Sequence, residues 1–230
     1  MATDPTGSAP TPPPGSTTTT PPPPGAGSVS LVDRVRNILT RPKTEWPVIA
    51  AEPASVGSLY RNYIVILAAI PVVATALGML LFGINLIIVT VRPSISYVLS
   101  QAIVSYVMTL IGVFVIALII EALAPTFGGQ KDRVQALKVA AYSYTAAWVA
   151  GIVTIVPMLG LLVLLAMIYG FYLMYLGLPV VMKSDPDKTA VYLVAIIVAA
   201  IIVYFVIGAV TAAVSHSFAP VAPTPSFNFR

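Results

Sequence analysis

Glu121 is the side chain best placed to do chemistry in this sequence, because it is the only acid inside an apolar run. An unpaired carboxylate at membrane depth is costly, so Glu121 is expected to be paired, hydrated or protonated. Arg133 and Lys138 open the next apolar segment on the same side, and either could reach it. With Tyr142 and Ser143, polar residues further along that segment, they make up a candidate polar cluster of Glu121, Arg133, Lys138, Tyr142 and Ser143. Such a cluster can relay a proton or cation, or it can pin the ends of two helices together; the structural reading is preferred. The rest of the chemistry is missing. His216 is the sole histidine and has no second ligand near it in sequence, whereas a metal site needs several. Gly128-Gly129 lacks the Gly-Lys-Ser/Thr ending of a phosphate loop and reads as a turn. There is no G-x-S-x-G or H-E-x-x-H motif and no cysteine. No catalytic, cofactor or metal site is expected, and the chain does not read as an enzyme.

The elements that must carry these residues are set by composition. Of 230 residues, 58% are hydrophobic and only 9% charged, with a mean hydropathy of +0.94. A soluble domain carries about 25% charged residues, so most of this surface must face lipid. Five apolar segments follow, at Ile64–Val89, Tyr97–Ile120, Gln135–Val156, Leu159–Met182 and Ala190–Ala213. Each is long enough for the roughly 20 residues that cross a bilayer core. Pro157 with Gly160 separates the third from the fourth as a tight hairpin. The third carries Lys138, Tyr142, Ser143, Thr145, Trp148 and Thr154, and a segment that polar is expected to face protein. Small residues four apart (Ala147/Gly151, Gly208/Ala212) suggest close helix approach.

Ahead of these spans lie two different stretches. Residues 1–27 are Pro, Thr, Gly and Ser with no apolar h-region, so they read as a disordered tail and not as a signal peptide. That tail is either simply solvated or a docking site for a proline-recognising module. Residues 28–62 contain Leu31, Val32, Val35, Ile38 and Leu39 at helical spacing, opposite Asp33, Arg34, Arg36 and Asn37. The expectation is a short amphipathic helix stopped by Pro42, lying in the headgroups or packed on the helix ends. Trp46 is expected to anchor at the interface with its N–H hydrated. The membrane domain then spans residues 63–214, with a short tail over 215–230.

Charge bias orients the chain. Ten of its 12 Lys and Arg fall on the side that holds the N-terminus, and two fall on the other. The positive-inside rule places the N-terminus in the cytosol and the C-terminus across the membrane. No basic block is dense enough to follow a phosphate backbone, so nucleic acid is not an expected partner.

Three stretches carry a family resemblance: RNILTRPKTEWPVIAAEP, ending at Pro53; EALAPTFGG, Glu121 to Gly129; and QALKVAAYSYTAAWVAG, Gln135 to Gly151. Over residues 30–213 the chain resembles the Yip family, five-span membrane proteins named for interacting with Ypt/Rab GTPases, in its prokaryotic branch. The resemblance implies an all-α fold of five transmembrane helices in the cell's inner membrane, with a cytosolic N-terminus. Where family members often follow the Tyr-Ser of span three with proline, this chain has Ala146-Ala147, so no kink is implied there. The GTPase partners of the eukaryotic branch do not transfer to a prokaryotic chain. The expected function is a non-enzymatic scaffold or membrane organiser, with lipid and other membrane proteins or further copies as partners. The alternative is permeation of a small solute or ion around Glu121.

Overall fold

The computed structural model describes residues 29–86 and 89–216. The proline-rich tail, the segment after His216 and the surroundings of the His216 side chain lie outside the described residues. The chain divides at Ser30, and the helical body begins at Leu31.

Helix α1 (Leu31–Thr40) is followed directly by α2 (Pro42–Ala51). Pro42, read from sequence as a stop, also starts α2: its missing N–H costs nothing in the first turn, where no intrahelical acceptor exists. A one-turn helix α3 (Val56–Leu59), capped by Ser55, runs through a π-turn at Tyr60–Ile64 into α4 (Val65–Phe82). The first span therefore covers Val56–Phe82, shifted toward the N-terminus of the expected Ile64–Val89. Gly83, with φ 73°, ends it in a left-handed conformation that a side chain would oppose. The apolar residues beyond Gly83 form a hairpin of two short strands, β1 (Ile84–Leu86) and β2 (Val89–Val91), in place of more helix.

The remaining spans follow the expected order. Helix α5 (Ile95–Leu123) is capped by Ser94 and α6 (Arg133–Ala150) by Asp132, whose carboxylate accepts from the N–H groups of Val134 and Gln135. Two 3-10 turns, Gly151–Ile155 and Pro157–Leu159, make the tight connection to α7 (Gly160–Val181). Helix α8 (Thr189–His216) closes the bundle. Among the described residues, five helices are long and apolar enough to cross a membrane, and the fold there is all-α apart from one hairpin.

Polarity predicts position. The α6 span is 67% buried inside the protein, against 28% for the first span and 6% for α8. The polar third segment is thus the axis of the bundle, and the most apolar helices line its outside. At Gly151, the end of α6 comes so close to α4 that an added Cβ would sit 2.5 Å from Pro71 Cβ.

A buried polar clamp beneath the N-terminal hairpin

Helix α2 lays its C-terminal end on the start of α6 and α1 rests its last turn on α7, and those contacts organise the polar residues of the molecule. The last carbonyls of a helix lack intrahelical donors. Here the membrane helices supply them: Lys138 Nζ donates to Ile49 O at 2.8 Å and to Glu52 O at 2.6 Å. Gln135 Nε2 donates to Ala50 O at 3.1 Å, and from α7 the Tyr169 hydroxyl donates to Leu39 O at 2.7 Å. A cation at a helix C-terminus also opposes the helix dipole favourably.

Arg34 closes the clamp from α1. Only 4% exposed, its guanidinium donates to Glu45 Oε1 at 2.5 Å and to Glu52 Oε2, and it lies 6.0 Å from the Tyr142 ring centroid. Tyr142 packs against Tyr63 at 4.6 Å and against Trp46 edge-on at 6.3 Å, while the Tyr63 hydroxyl bonds Thr145 Oγ1 at 2.7 Å. Trp46 itself is 0% exposed. It fills a notch on α7 made by Gly177, where a Cβ would lie 2.7 Å from the indole. The expectation of a hydrated interfacial indole is corrected: the ring is a knob in the protein core, and its buried N–H meets no hydrogen-bond partner among the described residues. Apolar area drives that burial, since the ring gains contact with Gly177 and Tyr142 on leaving water.

The five polar residues singled out from sequence separate into two places. Glu121, at the end of α5, accepts from Arg133 Nε at 2.9 Å across the turn to α6, with Arg133 about half exposed. Lys138 turns away from Glu121 to the α2 carbonyls, Tyr142 stacks under Arg34, and Ser143 Oγ is buried with no partner among the described residues. Sequence reasoning missed Arg34, Glu45 and Glu52. Their signal was spacing: Arg34 shares a helical stripe with Leu31 and Ile38, and Glu45, Ile49 and Glu52 share another. Next to the Glu121 pair, the Phe127–Gln130 turn is tied to the α7–α8 turn by Gln130 N–H to Met182 O at 2.8 Å and Asp185 N–H to Phe127 O at 3.1 Å.

The arrangement holds helices together; each charge within it meets an opposite charge or a helix terminus. Fold and site together define a helical integral membrane protein with a clamped N-terminal hairpin. The chain belongs to the Yip1 domain family, whose model matches residues 36–208. It is similar to the inner membrane protein YohC of Escherichia coli K12, at 26% identity over 161 residues, covering 68% of this chain and 83% of that protein. The YohC of Escherichia coli O6:H1 strain CFT073 shows the same 26% identity over the same coverage. No solved structure matches the chain.

Proposed function

We propose that the protein is a non-enzymatic scaffold of the inner membrane, presenting the α1–α2 hairpin on its cytosolic face. The observation that carries this reading is the clamp: of the two buried cations among the described residues, Arg34 ties α1 to α2 and lies over the Tyr142 ring of α6, and Lys138 fixes the end of α2 to the bundle. With the hairpin immobilised, its outer face offers Arg36, Arg41 and Lys43, all exposed, as a rigid basic surface. The positive-inside bias supports a cytosolic position for that surface and an extracytosolic C-terminus. The inner-membrane location of YohC supports the membrane assigned here.

Permeation around Glu121 has less support. A transporter site near midplane is built from broken helices and solvated polar groups, whereas Glu121 sits at a helix end already bonded to Arg133.

Crosslinking followed by co-purification from native membranes tests the proposal. A reproducible partner is expected, and it should be lost when Arg36, Arg41 and Lys43 are together replaced by glutamate while the melting temperature stays unchanged. Capture that ignores this charge reversal, together with solute flux in liposomes that disappears on Glu121→Gln, would reverse the ranking.

A further inference from the structure

The hairpin that the clamp fastens lies beside α7, not above it. Trp46 of α2 meets Gly177, and Leu39 O, near the end of α1, accepts from the Tyr169 hydroxyl. At about 1.5 Å per residue, Tyr169 lies about 18 Å along α7 from its end at Val181. The α1–α2 connection therefore sits roughly halfway down that 22-residue helix, and it carries Arg41 and Lys43, both exposed. A second element brings a cation to similar depth. Helix α6 starts at the end where α7 finishes, and Tyr63 bonds Thr145 about 18 Å into it from Arg133. Arg61, exposed on the π-turn just before Tyr63, therefore lies about 15 Å from that end. Tyr172, one turn on from Tyr169, is 43% exposed, a placement that suits an aromatic ring among headgroups.

We infer that Arg41, Lys43 and Arg61 bind the phosphates of anionic lipids, in the leaflet on the hairpin's side of the membrane. The inference rests on the scaffold reading for the presentation of this face, and names its partner. Depth selects lipid over a soluble acidic protein, which would have to reach about 18 Å below the end of α7. A charge at that depth is costly in hydrocarbon, and the long Arg and Lys stems let it rise to the phosphates. Charge selects the headgroup. Among the described residues these three cations have no ion-pair partner: Arg34 takes Glu45 and Glu52, Arg133 takes Glu121, and Asp33 lies two turns back from Arg41. A net-negative head such as phosphatidylglycerol answers them, whereas phosphatidylcholine brings a cation of its own.

The test places the full-length protein in phosphatidylcholine vesicles with a trace of spin-labelled phosphatidylglycerol or phosphatidylcholine. Electron paramagnetic resonance then reads how much of each is immobilised at the protein. Phosphatidylglycerol is expected to be preferred roughly fivefold, the equivalent of one cation–phosphate contact. The preference should fall to near unity in the triple variant Arg41→Gln, Lys43→Gln, Arg61→Gln, which removes exposed charges only and keeps the melting temperature. High salt should weaken it in the unmodified protein, a measurement that serves if the variant does not fold. Depth is read separately with single nitroxides, since the chain has no cysteine. A label at Thr44→Cys is expected at headgroup level, and one at Asp187→Cys, exposed on the α7–α8 turn, in water. A label at 44 as water-accessible as the one at 187 would put the tip in solution; the inference then falls, and the scaffold reading keeps the face for a soluble partner. Equal immobilisation of both lipids, or a preference untouched by the variant, would show bulk lipid contact only and overturn the inference. Lipid preference without a co-purified protein supports the inference and removes the protein partner from the scaffold reading.

Discussion

Arg34 illustrates how burial changes what one charge does. It sits on the inward stripe of an amphipathic helix, where a side chain of this kind is normally excluded, and two carboxylates make the position tolerable. Removing one partner of a buried pair strands the other, so Arg34→Ala should cost about 3–5 kcal/mol, read as a lowered melting temperature in detergent. The Glu121–Arg133 pair behaves differently because Arg133 is half exposed. A double-mutant cycle on that pair should return a coupling of about 0.5–1 kcal/mol, and the same cycle on Glu121 and Lys138 should return none. A large Glu121–Lys138 coupling would mean that the lysine is misplaced. Glu121 was legible as a paired acid in the sequence because its isolation in an apolar run demands a partner. Lys138 was not, because the backbone carbonyls it caps leave no trace in residue identity.

Among the elements, hydropathy located five spans but could not place every end. Hydropathy does not distinguish helix from strand in the apolar run after Gly83; its β-branched residues favour strand, and the positive φ of Gly83 settles the boundary. Helix α2 escaped notice because Pro42 read as a stop, although proline is harmless in a helix's first turn. Pro47 lies further inside, where it leaves the carbonyl four residues back without a backbone donor. Small-residue spacing proved ambiguous: Gly151 is pressed against Pro71, while Gly208, with the same kind of spacing, faces open space. Only the arrangement of neighbouring helices tells the two apart. The notch at Gly177 gives the sharpest prediction at this scale. Gly177→Ala would press its methyl into Trp46 and should destabilise by about 1–3 kcal/mol, with Trp46 fluorescence shifting to the red as the indole loosens. Gly160→Ala meets nothing within 4 Å and should leave stability unchanged.

At the scale of the whole molecule, the polar helix lies at the axis, the apolar helices lie outside, and the hairpin is fastened over one end. A reporter enzyme fused after Phe218 should be active only outside the cytosol, as an odd number of spans requires; activity in the cytosol would remove one span. The central claim, that buried charges clamp α1 and α2 onto the membrane bundle, is tested most directly by amide hydrogen exchange over residues 31–52 in the wild type and in Lys138→Met. That substitution leaves the carbonyls of Ile49 and Glu52 without their donor, a loss of about 1–3 kcal/mol. The account predicts strong protection of 31–52 in the wild type and exchange roughly tenfold or more faster in the variant, with α5 and α7 unchanged. Exchange over 31–52 that is already fast in the wild type, or unaffected by Lys138→Met, would contradict it.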